Sequence, residues 1–291
     1  MFKFRNIGIA GLGLIGGSLA LEVKRRGIAC RVTGFSRRRS TLEKAKTGGI
    51  VDQYYLNFEK GLGDLDLLVI ATPIRVMNDY FAKVRRNNPS LLVTDAASVK
   101  DGVVRDAEAI LGKNSNFVGS HPMAGSEKSG IDAVRENLFE GRFVVITPSR
   151  HTKKGNLAKI RDFWRSLGAI PVMMSPQEHD RLIALTSHLP HAVVFSLVSL
   201  IEKAGRNNER LFSCVGSGFL DTTRIGKSNP ELWAEIFMAN RKNLIHWITE
   251  FEKKLSVMKR MLKEGNYEQL AGRLDALKKI REELDGKRKD I

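Results

Sequence analysis

Cysteine is scarce: Cys30 and Cys214 are the only two in 291 residues. They are far apart and form no C-x-x-C pattern, which argues against a disulfide framework or a zinc site and suits a reducing cytoplasm. Long apolar runs are missing as well. The longest, LPHAVVFSLVSLI from Leu189 to Ile201, falls short of the ~18 residues that a membrane span needs. It reads instead as a helix buried nearly all round, in a core or a subunit interface, and no membrane partner is expected. A glycine-rich turn begins by Gly11, so no signal or transit peptide is expected ahead of the first strand.

Acidic residues are few beside the basic ones. Asp plus Glu is 32 against 48 for Lys plus Arg, a formal net charge of +16. Such an excess attracts polyanions without saying which. Basic stretches interleaved with aromatics and helix-turn-helix signals are both missing, so nucleic acid is not the expected partner.

What the chain does contain is ordinary for a soluble globular protein, 42% hydrophobic and 27% charged. Short apolar runs alternate with amphipathic segments, as in a parallel sheet covered by helices. Strands are expected at Asn6 to Ala10, Arg31 to Phe35, Leu67 to Ala71, Leu91 to Thr94, Phe117 to Gly119, Arg142 to Thr147 and Ile170 to Met173. Helices are expected at Ile15 to Arg26, Thr41 to Lys46, Arg75 to Arg86, Lys100 to Leu111 and Lys154 to Leu167. After Pro176 the strand-like runs stop and helical spacing persists. A boundary near Ser175 is therefore expected, with an α/β domain over 1–175 and an all-helical domain over 176–291.

In GLGLIGG, Gly11, Gly13 and Gly16 fit G-x-G-x-x-G between a strand and a helix. The first glycine permits a tight turn, the second lets a pyrophosphate approach the backbone, and the third lets helix and strand pack closely. Helix N-terminal N–H groups, those of Leu14 and Ile15 among them, then face the phosphates. This predicts a Rossmann-like dinucleotide-binding domain.

At the end of the second strand, where an NAD site normally has an acidic residue, stands Ser36, followed by Arg37, Arg38 and Arg39. A serine hydroxyl and a guanidinium fork suit a 2′-phosphate, so NADP is favoured over NAD. Ser36, Arg37 and Arg38 are the expected contacts, with Arg39 a solvated neighbour. Ala71, Thr72 and Pro73 form a small-residue turn at a strand's carboxyl end, a second place for cofactor contact.

TDAASVK (94–100) and GSHPMAGSEKSG (119–130) leave neighbouring strands on the same edge. In the second segment, read as a loop, His121 has an intrinsic pKa suited to general-base work. Ser98 in the first segment, TSHLPH with His188 and His191, and DTTRIGKSNPELW with Arg224 and Trp233 complete the set. His179 and His246 read most simply as surface or helix-face histidines.

Taken in order, GLGLIGGSLAL, TDAASVK, HPMAGSEKSG, TSHLPH and DTTRIGKSNPELW resemble the prephenate dehydrogenase family of tyrosine biosynthesis, which includes arogenate dehydrogenases. The resemblance implies an oxidative decarboxylation: the ring 4-hydroxyl is oxidised, hydride passes to a nicotinamide, and loss of CO₂ yields a phenol. It also implies roles. His121 would accept the hydrogen bond of the 4-hydroxyl, and Ser98 would bond that hydroxyl or orient His121. Arg224 would clamp a substrate carboxylate, His191 would position substrate, and Glu127 would stand at the pocket entrance. His188 and Trp233 read as structural and packing residues. A homodimer through an all-helical C-terminal dimerisation domain is implied too. Tyrosine inhibition, with no room in the chain for a fused regulatory domain, would act by competition. Arogenate or the 4-amino analogue of prephenate are the alternative substrates, and a β-hydroxyacid-type dehydrogenase is the more distant reading.

Overall fold

A computed structural model describes residues 4–126, 128–206, 208 and 210–289. Eight strands form one sheet: β1 (Phe4–Ala10), β2 (Ala29–Phe35), β3 (Gln53–Tyr55), β4 (Leu67–Ile70), β5 (Leu92–Asp95), β6 (Phe117–Pro122), β7 (Phe143–Thr147) and β8 (Ile170–Met173). Their order is β3-β2-β1-β4-β5-β6-β7-β8. Neighbours pair in parallel as far as β6, β7 runs antiparallel to β6, and β8 is parallel to β7. The first six strands thus follow the doubly wound dinucleotide-binding order, which reverses direction between β1 and β4.

The helices of this part are α1 (Leu14–Arg25), α2 (Arg39–Thr47), α3 (Met77–Asn87), α4 (Asp101–Leu111) and α5 (Lys154–Ser166). Strand alternation explains why helices cover both faces. In β4, Leu67 and Val69 join one buried apolar cluster with Leu19, Val23 and Trp164, while Leu68 and Ile70 join another with Phe81, Val84 and Val103.

From Pro176 onward the chain is helical: α6 (Pro176–Ile183), a π-helical turn (Ala184–His188), α7 (Leu189–Gly205), α8 (Arg210–Ser213), α9 (Ser217–Thr222), a 3-10 turn (Arg224–Lys227), α10 (Pro230–Ala239), α11 (Arg241–Glu264) and α12 (Tyr267–Lys289). The start of α6 follows from its sequence. Ser175 caps it by accepting from Glu178 N–H at 3.2 Å, and Pro176 fills the first turn, where a missing N–H costs nothing. The chain forms two compact units, Met1–Asn243 and Leu244–Ile291. The second holds most of α11 and all of α12, separated by Gly265 at φ 67°.

The structure departs from expectation in places. Strand β3 was not foreseen. His121 is a strand residue rather than a loop residue, because β7 pairs with β6 as far as Pro122 and sets His121 opposite Val145. The apolar run in α7, expected to be buried in a core or a subunit interface, has Leu189 and Val194 buried within one chain and Val198 and Leu200 exposed. The continuous helical stretch Pro176–Gly205 is also long and apolar enough, by length and composition, to cross a membrane.

Candidate active site

The glycine turn lies at the carboxyl end of β1, beside the point where strand order reverses. Gly11 has φ +94°, and a Cβ there would stand 2.5 Å from the Ala71 carbonyl oxygen. A Cβ on Gly16 would stand 1.9 Å from the Gly11 carbonyl oxygen, so the close approach of α1 to the turn requires glycine. Gly13 faces open space. The first hydrogen bond of α1 runs from Gly17 N–H to the Gly13 carbonyl, 2.8 Å, leaving Leu14, Ile15 and Gly16 N–H without acceptors inside the helix. No acidic side chain occupies this first turn. The Thr72 hydroxyl, on the loop after β4, is buried without a hydrogen-bond partner among the described residues. Open space above Gly13, helix N–H groups and an unpaired hydroxyl fit the diphosphate of a dinucleotide.

Further along this edge, Ser36 and Arg37 line a cleft of about 470 Å³ with Asn57, Glu59, Tyr80 and Lys83. Arg38 N–H donates to Ser36 Oγ at 3.2 Å, and Arg39 lies 3.9 Å from Glu43 on the exposed face of α2. Pro73 opens the 3-10 turn Ile74–Val76, and Arg75 within it pairs with Glu235 of α10 at 2.9 Å.

His121 projects from β6 and is 8% exposed. A buried network fixes the strand beneath it. Lys100 Nζ pairs with Asp95 at the end of β5 and donates to the Ser120 carbonyl at 2.9 Å, while Ser120 N–H donates to Asp95 Oδ1 at 3.1 Å. Burial above all, and then the neighbouring His179, Lys100 and His188, push His121 well below the ordinary imidazole range, so it is neutral near pH 7. Burial also pushes Lys100 down, with Asp95 working against it.

The partner of His121 is His179, whose Nε2 lies 2.8 Å from His121 Nδ1. His179 is fully buried on α6 and continues to Asp180, its Nδ1 2.7 Å from Oδ1. A surface or helix-face histidine was expected here, and Ser98 was offered for bonding the substrate hydroxyl or orienting His121. The structure assigns that contact to His179, with Ser98 half-buried two residues before Lys100. The signal for His179 and Asp180 was hidden, since EHD in a first helical turn resembles any polar start of a helix.

The π-helical turn ends at His188, and His191 follows in the first turn of α7. Pro190 has no N–H to continue an α-helix, and a wider turn ahead of it accommodates the ring. His188, 1% exposed, bonds through Nδ1 to Asn240 Nδ2 at 3.2 Å, across the fold rather than within its own turn, and its buried Nε2 has no partner among the described residues. Burial leads the causes that lower His188 to about 4. His191 Nδ1 donates to the Ser187 carbonyl at 3.0 Å, and its ring stacks on Trp233 with centroids 3.4 Å apart. Trp233 is set there by the start of α10, where Asn229 accepts from Leu232 N–H and Pro230 follows it. Arg224 opens a 3-10 turn that packs against α7 through Gly226 and Val194, and its side chain is exposed. Glu127 lies outside the described residues.

Comparison with known proteins agrees in both halves of the chain. The family model for the nucleotide-binding domain of prephenate dehydrogenase matches residues 19–173, and that for its dimerization domain matches 175–276. Among curated relatives, the prephenate dehydrogenase of Bacillus subtilis is 36% identical over 84% of this chain and 68% of its own. The cyclohexadienyl dehydrogenase of Zymomonas mobilis is 31% identical over 87% and 88%. A structure of prephenate dehydrogenase from A. aeolicus, in complex with hydroxyphenyl propionate and NAD+, superimposes with a TM-score of 0.92 at 36% identity, covering 96% of this chain and 98% of that one. The arogenate dehydrogenase of Synechocystis gives 0.81 at 31% identity, covering 96% and 100%. Both domain models and the sheet order lead to one conclusion: the chain belongs to the prephenate dehydrogenase family.

Proposed function

We propose that this protein oxidatively decarboxylates prephenate to 4-hydroxyphenylpyruvate with a nicotinamide dinucleotide, a step of tyrosine biosynthesis. The observation that carries the reading is His121, a buried neutral imidazole at the carboxyl edge of the sheet, in a chain matched by both domains of the family. The nicotinamide, when bound, supplies the hydride acceptor. His121 accepts the proton of the 4-hydroxyl as hydride leaves the same carbon, and loss of the ring carboxylate as CO₂ makes the ring aromatic. Ser98 offers a second hydrogen bond to that hydroxyl. Arg224 binds a substrate carboxylate with its planar fork, and His191 positions the ring from its stack on Trp233. Leu14, Ile15 and Gly16 N–H, with Thr72, hold the diphosphate between the glycine turn and Ala71–Pro73.

For the cofactor we infer NADP. Ser36 and Arg37 line the cleft at the end of β2 where an NAD site carries a carboxylate, and Lys83 adds positive charge, partly offset by Glu59 and Asp79. Residues 1–175 serve as the nucleotide-binding domain and 176–291 as the helical domain, which forms a homodimer. Two exposed, unpaired cysteines suit the cytoplasm.

The test is a cofactor-reduction assay with prephenate and arogenate, each against NAD and NADP. Turnover of prephenate, a lower KM for NADP, and a rise in that KM in Arg37→Ala are expected; arogenate turnover alone, or a clear NAD preference, reverses the corresponding assignment. His121→Asn should lower kcat by about 10²- to 10⁴-fold, whereas Arg224→Ala should chiefly raise the KM for prephenate.

A further inference from the structure

The proposed reaction gives His121 a task but says nothing of which ring nitrogen performs it. The hydrogen bonds behind His121 answer that. Asp180 on α6 is committed at both oxygens to the start of α4, accepting from Lys100 N–H at Oδ1, 2.7 Å, and from Asp101 N–H at Oδ2, 2.9 Å. Held this way, the carboxylate offers His179 only lone pairs. The 2.7 Å contact with His179 Nδ1 therefore places a proton on that nitrogen. A neutral imidazole with its proton on Nδ1 has a bare Nε2, which can only accept. His121 Nδ1, 2.8 Å away, must donate to it. The opposite polarity would set the bare Nδ1 of His179 against a carboxylate oxygen, two acceptors in contact.

We propose that Asp180 and His179 are positioning residues that lock His121 in its Nδ1–H tautomer, so that Nε2 is the atom that takes the substrate proton. In that step the O–H bond breaks, an Nε2–H bond forms on His121, and the electron pair left on oxygen becomes the carbonyl bond as hydride departs from carbon. The imidazolium so formed keeps its Nδ1–H bond to His179, with the Asp180 carboxylate at the far end of the chain. The charged or titratable groups facing the pair are Lys100, His188 and Asp95, besides Asp180 itself. Lys100 and His188 disfavour a resting imidazolium at His121, which keeps the base free. The inference rests on the proposed reaction only for the identity of the proton donor; the tautomer is a property of the protein alone.

Nitrogen NMR of the full chain labelled with ¹⁵N-histidine tests it, because an imidazole in water prefers the Nε2–H form. Wild type should show His121 with a protonated Nδ1 and a bare Nε2. His179→Leu, which removes the acceptor, should return His121 to the common tautomer and lower kcat by roughly 10²- to 10⁴-fold, with KM changed less than about threefold. His179→Gln, whose amide oxygen can accept from Nδ1–H, should restore the tautomer and recover kcat to within about tenfold of wild type. An Nε2–H tautomer at His121 in the wild type overturns the proposal, whether or not the variants fold. So does near wild-type kcat in a folded His179→Leu. A protein with the stated tautomer and no activity on prephenate or arogenate refutes the proposed function and leaves the positioning chain intact.

Discussion

Two buried side chains respond to acid in separate pH ranges. His188 titrates near 6.5 when unfolded and at about 4 in the fold, burial being the main cause. Between those values the unfolded chain binds more protons than the native one, so stability falls as pH drops through the window, by roughly 3 kcal/mol once pH 4 is reached. His188→Gln removes that share. Urea midpoints measured at pH 7 and pH 4.5 should lie closer together in the variant than in wild type, and an unchanged separation refutes the assignment. Glu22 responds in the same sense, at lower pH. Burial raises it, but Arg25, Arg26 and the Asn137 N–H outweigh that and hold it at about 2, against an ordinary 4.5. Its contribution is complete above pH 4.5 and disappears as pH falls toward 2. Residues also differ in how far the local sequence marks them. Gly11, Gly13 and Gly16 could be found from their fixed spacing between a strand and a helix. His179 and Asp180 act through partners brought up by the fold, 58 residues distant for His179 and His121, and no local pattern marks them.

Between elements, the ends of β5 and β6 and the start of α4 are held together by one fully buried cation. Lys100 reaches Asp95 and the Ser120 carbonyl, and all three residues are out of contact with bulk solvent. Lys100→Met leaves the Asp95 carboxylate buried and uncompensated, and should destabilise the protein by about 3–5 kcal/mol in urea unfolding. Adding Asp95→Asn removes the stranded charge and should recover a large part of that loss; a double variant no better than the single refutes the argument. The strands and helices foreseen from the sequence are those whose apolar run or amphipathic period is complete within the segment. Strand β3 has three half-buried residues, too short for alternation to show, and it forms because β2 offers an edge. The extension of β6 to Pro122 depends on β7, a partner more than twenty residues later. The histidine that was read as part of a loop is thus held on a rigid element, as a proton acceptor requires.

For the whole molecule, the question is what covers α7. Val198 is 43% exposed and Leu200 62%, with Phe212 of α8 at 60%, an apolar concentration that a lone soluble chain would leave in water. The helical stretch to which α7 belongs has the length and hydropathy of a membrane span, yet its N-terminal third carries His179 and Asp180, both buried in hydrogen bonds with the α/β part. A bilayer would have to break those bonds, whereas a second copy of the chain need not. The match to a dimerization domain over 175–276 points the same way. Light scattering on detergent-free protein should therefore give twice the 32.5 kDa of one chain. Val198→Glu with Leu200→Glu sets like charges in a two-fold contact, where self-complementarity doubles every change, and should shift the mass toward that of a monomer. A variant that stays dimeric places the interface elsewhere, and a wild type that needs detergent to remain in solution would favour the bilayer over the second subunit.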